Sequence, residues 1–242
     1  MTRYALIGDV HSMGQNLAQA LQHCKANRLT PVLLGDLFDS RCDVSETLYV
    51  YNLARMAQAE MGAIILNSNH GARLIEALNG DIEDEPYCSE TFRTVREFEE
   101  AGVDTQALIL WLAKMPDGFV FWDGEGHEHC CAHAYFMEGY RNRKAQRPYF
   151  VWARDEEDLE QFIWGPLNKN HRRVHWWGGK DPGFTRVAGH YHFVLDQPGA
   201  LILDANSGFE DGGLLLYDVD AKKSVYFAQA TATIEQTPQE TA

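Results

Sequence analysis

The stretch Tyr4-Ala5-Leu6-Ile7-Gly8-Asp9-Val10-His11 decides how the rest of the chain is read. Its four apolar residues are too short a run for a helix face but suit a strand buried on both sides, and the run stops at a glycine followed by a carboxylate. Pro31-Val32-Leu33-Leu34-Gly35-Asp36 repeats the pattern. A third apolar run, Ala63-Ile64-Ile65-Leu66, ends at Asn67-Ser68-Asn69-His70. Helical-looking stretches follow each of them, over 13–28, 43–61 and 71–79. Short buried strands alternating with helices make βαβ units and a parallel sheet. All three deliver polar residues at strand C-termini, where open α/β sheets place their sites.

Outward from this core, residues 80–115 read as mostly helical and end in Trp111-Leu112-Ala113-Lys114-Met115-Pro116. Strand-like runs occupy 118–122 and 128–132. Residues 139–186 lack periodicity and read as a cap or insertion. Further strand signals lie at 185–189, 192–196, 200–204, 213–218 and 223–228, with turns at Gln197-Pro198-Gly199 and Gly212-Gly213. The reading is one domain over 1–228, with a helical insertion at about 80–116 and a basic, aromatic cap at about 139–186. The polar, aperiodic residues 229–242 read as a disordered tail.

Of the 242 residues, 45% are apolar and 23% charged, which places the chain in the ordinary globular class and excludes wholesale disorder or a fibre. No apolar run approaches the roughly 18–20 residues needed to cross a bilayer, and the first residues carry no signal-peptide pattern. A formal charge of −14 argues against long nucleic acids as partners. The five cysteines (Cys24, Cys42, Cys88, Cys130 and Cys131) form no CxxC pair and no closed disulfide set. They read as small packing residues in a reducing compartment, most simply the cytoplasm.

Five segments carry chemistry: Gly8-Asp9-Val10-His11, Gly35-Asp36-Leu37-Phe38-Asp39, Ser68-Asn69-His70, Ala132-His133-Ala134 and Gly189-His190-Tyr191-His192. They offer Asp, His and Asn without cysteine, a set suited to Mn, Fe or Zn. Two metals need about seven protein groups, one of them a bridging carboxylate, and Asp9, His11, Asp36, Asn69, His133, His190 and His192 supply that number. On its own, each pair is a weak signal; His192 can equally alternate outward from a strand. The weight lies in five such pairs, each following a strand-like run.

The motif order resembles the calcineurin-like metallophosphoesterase superfamily, whose signature runs GDxH, GDxxD, GNH(E/D), a strand-ending His, and GHxH or GHT. Here the motifs read GDVH, GDLFD, SNHG, CAHA and GHYH. The resemblance spans roughly 3–228, although 80–127 and 139–186 match only in being helical or irregular. It is closest to the bacterial phosphoprotein-phosphatase and dinucleoside-tetraphosphatase-like branch. The cues are His70-Gly71-Ala72-Arg73-Leu74, Trp111-Leu112 before Met115-Pro116, and Leu203-Asp204 before Gly212-Gly213-Leu214.

The resemblance implies an α/β fold, a four-layer αββα sandwich of two mixed sheets flanked by helices. It implies that Asp9, His11 and His192 hold one divalent ion, Asn69, His133 and His190 the other, and that Asp36 bridges them. The ions are expected to be Mn2+, with Fe or Zn as alternatives. A hydroxide between the metals would attack phosphorus in line, with His70 as general acid and Asp39 holding its imidazole. A helix N-cap is the other reading of Asp39.

Three departures stand out. Ser68 replaces a glycine and Gly71 an acidic residue. Ser40-Arg41 stands where protein phosphatases carry Arg-Gly, which makes Arg41 either a displaced phosphate grip or a solvated surface residue. GHYH leans away from a strict protein phosphatase. Residues 139–186 hold ten bases against six acids among nine aromatic residues. Within them Arg172, Arg173 and Trp176 are candidate substrate contacts; the alternative is a cap whose aromatics form a small core of their own. Asp204 reads either as a group orienting a ligand histidine or as a turn residue, whereas His127, His129, His171 and His175 have no assigned role.

The expected function is metal-dependent phosphoester hydrolysis, first as a phosphomonoesterase of the serine/threonine protein phosphatase type. The alternative is a nucleotide phosphodiesterase or dinucleoside polyphosphate hydrolase, and a more remote one is a non-catalytic scaffold. The expected partners are a phosphorylated protein or a small nucleotide, with no membrane. The sequence does not specify an oligomeric state.

Overall fold

Every residue of the opening strand β1 (Tyr4–Ile7) is buried, and its side chains alternate between two different cores. The computed structural model describes residues 2–40, 42, 45–83, 86–167, 172–177 and 183–228. Next in the chain come α1 (Gly14–Asn27), β2 (Thr30–Leu33), α2 (Thr47–Met61), β3 (Ile64–Ile65) and α3 (Asn69–Asn79). The chain continues through α4 (Ser89–Glu100), α5 (Thr105–Leu112), β4 (Gly118–Trp122), β5 (Glu128–Ala132), β6 (Tyr149–Val151) and α6 (Glu156–Trp164). It closes with β7 (Thr185–Ala188), β8 (Val194–Gln197), β9 (Ala200–Leu203), β10 (Gly213–Asp218) and β11 (Lys223–Ala228).

Two mixed sheets result, ordered β11-β10-β1-β2-β3 and β6-β4-β5-β7-β9-β8. β1, β2 and β3 are parallel in the first; β5, β7 and β9 are parallel in the second. Tyr4, Leu6, Val32 and Leu34 meet Phe119, Phe121, Cys131, Val187 and Leu201 between the sheets. Ala5, Ile7 and Leu33 face the other way, against Leu17, Val50, Leu74, Phe98 and Leu108 of α1 to α5. On the outer face of the second sheet, Val120, Cys130 and Ala132 pack on Phe136, Phe184 and Phe162 and Ile163 of α6. The layers run helices, sheet, sheet, helix. Burial of each large side chain contributes roughly 1.5–3 kcal/mol, which is why short all-apolar strands suffice.

The adjacent Cys130 and Cys131 point to opposite faces, as packing residues in a strand must. All five cysteines are buried and none is in a disulfide, and burial pushes the Cys24 thiol up to about 12. The helical stretch 80–115 is divided between α4 and α5. Gly102, at φ +66°, takes the left-handed turn between them, and Asp104 accepts the Ala107 amide as N-cap. β6 emerges from the segment without periodicity, and the strand expected from residue 192 starts at Val194. Among the described residues, no helix is long and apolar enough to cross a membrane.

Candidate metal centre

The C-terminal ends of the parallel strands of both sheets converge on one edge, and the five motif loops lie there. Their backbone is unusual. His11, Asp36, Asp39, His190 and His192 all have positive φ, between 38° and 67°. Side-chain-bearing residues held in this region cost free energy and cluster at functional sites. Glycine at 189 is required by contact: a Cβ there would lie 1.9 Å from Asp9 Oδ1. Gly189 donates its amide to the His133 carbonyl at 2.9 Å, and the His190 amide donates to Asp9 Oδ2 at 2.8 Å, tying one sheet to the other across the site.

The imidazoles are held from behind. His11 Nδ1 lies 3.1 Å from both the Phe38 and Asp39 carbonyls, so it carries the proton and Nε2 faces Asp36 Oδ2 at 3.6 Å. His133 donates Nδ1–H to the Leu34 carbonyl at 2.9 Å. Its Nε2 therefore presents a lone pair, directed at Asn69 Oδ1 (2.7 Å), His190 Nδ1 (3.2 Å) and Asp36 Oδ2 (3.4 Å). Asp36 Oδ2 thus stands between His11 and His133, while Oδ1 accepts the His70 amide at the start of α3. Two groups with metal-binding spacing share it: His11, Asp36 and His70, and Asp36, His133 and His190.

The charges follow from burial and neighbours. Burial, then Asp204 and Asp36, push the Asp9 carboxyl well above the usual carboxylate range. Burial acts the same way on Asp36, but the surrounding His133, His70 and His11 rings outweigh it and hold Asp36 well below that range. Burial and the neighbouring His133 push His190 down to about 3, leaving a neutral ring with a lone pair to offer. Asp9 Oδ1 is buried with no hydrogen-bond partner. An orphaned carboxylate oxygen and several lone pairs aimed at one another are costly when bare and are relieved by cations. With no thiolate present, the donors fit divalent ions of the Mn, Fe or Zn kind.

Beside this cluster, His70 Nδ1 donates to Asp39 Oδ2 at 2.8 Å. Asp39 also accepts from Thr91 (2.6 Å) and Thr94 (2.7 Å) of α4. Burial pushes the His70 imidazole down, but Asp36 and Asp39 outweigh it and raise it above its ordinary value. His70 thus belongs to one metal-spaced group and is also tied to the Asp39 carboxylate. Asp39 is not a helix cap, since α2 starts at Thr47.

Asn69 and His70 are the first two residues of α3, which starts two residues earlier than the periodicity suggests. Ser68 is its N-cap: its Oγ accepts both the Gly71 amide (3.2 Å) and the Asp36 amide (3.0 Å). The replacement for glycine is thus a tie between two motifs. His192 stands outside both metal-spaced groups. Its side chain is 48% exposed, its Nδ1 lies 3.5 Å from Asp204 Oδ2, and its amide donates to that oxygen at 2.6 Å. Asp204 is buried, which favours the orienting reading over a solvated turn.

The expected substrate arginines divide. Arg41 lies outside the described residues. Arg172 is exposed. Arg173 is engaged with Glu160 (2.8 Å) and the Gly165 carbonyl (2.7 Å). Trp176 directs its indole N–H to the Ala134 carbonyl and the Tyr191 hydroxyl. Thr91 and Thr94 escaped the sequence reading; their only signal is a place on the buried face of α4 with Val95 and Phe98. A hollow of about 640 Å3 lined by His192, Asn206, Phe209, Glu210, Asp211 and Gly212 adjoins the centre.

No protein-family model and no curated protein matches the sequence. Solved structures do match the fold. A protein provisionally described as a diadenosine tetraphosphatase aligns with TM-score 0.60 at 19% identity, over 94% of this chain and 93% of its own. A protein serine/threonine phosphatase from Saccharomyces cerevisiae aligns with TM-score 0.51 at 10% identity, over 98% and 82%. A cold-active protein-tyrosine phosphatase of a Shewanella species aligns with TM-score 0.52 at 15% identity, over 93% and 80%. The chain therefore shares its two-sheet α/β fold with these proteins, in line with the architecture that the motif order implied.

Proposed function

We propose that the chain is a metal-dependent phosphoester hydrolase with a dinuclear centre. The observation that carries this reading is Asp36 Oδ2, which faces His11 on one side and His133 on the other. Asp9, His11 and Asp36 would hold one divalent ion, with His192 at its exposed side; Asp36, Asn69, His133 and His190 would hold the second. Mn2+ is the first choice, with Fe and Zn as alternatives. Such ions, when bound, lower the pKa of coordinated water toward about 7 and neutralise phosphoryl oxygens.

The chain's own groups do the rest. Asp39 keeps Nδ1–H of His70 in place, so Nε2 is the position from which a proton reaches the leaving-group oxygen. The Phe38, Asp39 and Leu34 carbonyls fix the tautomers of His11 and His133, so each ring offers Nε2 to the centre. The Ser68 cap aligns the start of α3, which carries both Asn69 and His70, with Asp36.

Two substrate readings carry over. A phosphomonoester of serine or threonine is the class named in the yeast neighbour. A nucleotide or dinucleoside polyphosphate is the class named in the first neighbour, and a specific observation favours it: Trp164 meets the His190 ring at 5.8 Å, with Trp176, Trp177 and Tyr191 clustered nearby. The test is turnover by Mn2+-loaded protein of a phosphopeptide, a diadenosine polyphosphate, a cyclic nucleotide and an aryl phosphate. Hydrolysis of at least one, lost with chelator, is the expected result. Ion binding without turnover of any would leave the scaffold reading.

A further inference from the structure

Arg73 lies three residues beyond His70 on α3, so the two side chains leave the same face of the helix. Its guanidinium stands 5.6 Å from the centroid of the Trp164 ring, at the end of α6. That indole in turn meets His190 edge-on at 5.8 Å. The pair thus spans from the helix that carries His70 to the layer covering the second sheet, beside the centre. Other arginines of the chain have partners: Arg141 pairs with Glu128, Arg154 with Asp158 and Arg173 with Glu160, and Arg186 donates to the Phe136 carbonyl. Arg73 has no carboxylate partner among the described residues. A partly buried guanidinium left without an anion, three residues from His70 on the same helix face, has the chemistry of a phosphate receptor: a planar fork that binds phosphoryl oxygens in pairs.

We infer that Arg73, held against Trp164, binds a second anionic group of the substrate on the leaving-group side of the bond that is cleaved. The inference rests on the dinuclear hydrolase reading above and adds a substrate class to it. His70 faces the leaving-group oxygen, and Arg73 follows it by one turn of the same helix. The cation therefore meets the departing fragment rather than the phosphoryl group held at the centre. The substrates so selected are phosphoanhydrides and nucleotide esters whose leaving group carries its own negative charge. A serine or threonine leaving group offers nothing for Arg73 to bind. Trp164 supplies an apolar wall against which the guanidinium loses little freedom on binding.

The experiment compares wild type, Arg73→Gln and Arg73→Lys, all loaded with Mn2+, in two ways. Calorimetry measures binding of methylenediphosphonate, a non-hydrolysable two-phosphate probe, and of orthophosphate. Kinetics measure a nucleoside polyphosphate against an aryl phosphate. Removing one charge-assisted contact should weaken methylenediphosphonate by about 10- to 100-fold in Arg73→Gln while orthophosphate changes by less than about threefold. KM for the polyphosphate should rise by a similar factor, with kcat and the aryl phosphate nearly unchanged. Arg73→Lys should fall between; it keeps the charge without the fork, and it carries the comparison if the Gln variant unfolds. Equal losses on both probes would make Arg73 structural and overturn the inference, as would no loss on either. Aryl phosphate turnover in wild type separates these outcomes from failure of the hydrolase reading. If wild type neither binds a probe nor turns over any substrate, that reading fails and takes the inference with it.

Discussion

Asp39 accepts the Nδ1–H of His70 at 2.8 Å through a carboxylate that is otherwise filled by Thr91 and Thr94. Oδ2 takes both His70 and Thr91, and Oδ1 takes Thr94. Such a carboxylate orients the ring and stabilises its charged form without removing its proton. Burial pushes Asp39 up, but these hydrogen bonds and the His70 charge outweigh it and hold Asp39 below its ordinary value.

Asp39→Asn should slow hydrolysis of an alkyl phosphate by about 10²–10³-fold, within the usual contribution of a general acid. An aryl phosphate with a good leaving group should slow by less than about tenfold, because its oxygen needs no proton. Steady-state kinetics on both substrates, with metal content measured beside them, make the comparison. An equal loss on both would place Asp39 in the metal centre instead.

Thr91→Val and Thr94→Val each remove a hydrogen bond to a buried carboxylate while keeping the shape of the side chain. Each should cost about 1–3 kcal/mol of stability, measured by urea unfolding. The double variant should cost less than the sum of the two, because both act on one carboxylate.

The pair also sets a pH dependence in metal-free protein. His70 is raised above its ordinary 6.5, so its contribution is full below that value and is lost as pH rises through the higher folded value. Asp39 is lowered below its ordinary 3.8, so its contribution is present above that value and is lost as pH falls through the lower folded value. The stability gap between wild type and Asp39→Asn should therefore be widest between about pH 4 and 6.5 and narrow on either side. Thermal unfolding across that range measures it; a gap independent of pH would show that the pair carries no charge in the fold.

Ser68→Ala removes an N-cap acceptor and leaves the Asp36 amide buried without a partner. The combined cost should be about 2–4 kcal/mol, with weaker metal binding because Asp36 and Asn69 lose their common anchor. Unfolding midpoints and a metal titration check the two effects. Unchanged metal affinity would mean that Ser68 caps α3 and does nothing for the site.

Much of this was legible in the sequence because the strands that build the site are buried on both faces. Runs such as Tyr4–Ile7 and Thr30–Leu33 have almost no polar face to blur them, and a residue that the site uses, Asp9 or Asp36, follows shortly after each. β6 was hidden because three edge residues inside an aperiodic segment have no period to detect. The Ser68 tie was hidden because a serine before a helix looks the same whether or not its second lone pair serves Asp36. Thr91 and Thr94 are three apart on a helix, a spacing shared with any polar face. Only the packing of α4 against the Asp39 loop distinguishes them. Arg73 sits in the run that opens α3, but its relation to Trp164 depends on α6 arriving from another layer, which no local pattern encodes.

On the proposed reading, Asp36 joins two metal ions in a centre that hydrolyses phosphate esters. The most direct measurement is metal stoichiometry by titration of metal-free protein with Mn2+, for wild type and Asp36→Asn, with turnover of an aryl phosphate followed in the same samples. Wild type should take up two ions per chain and gain activity with the second, whereas Asp36→Asn should hold at most one and stay inactive. Two ions and full turnover in Asp36→Asn, or a wild type that binds two ions and hydrolyses nothing, would contradict the account.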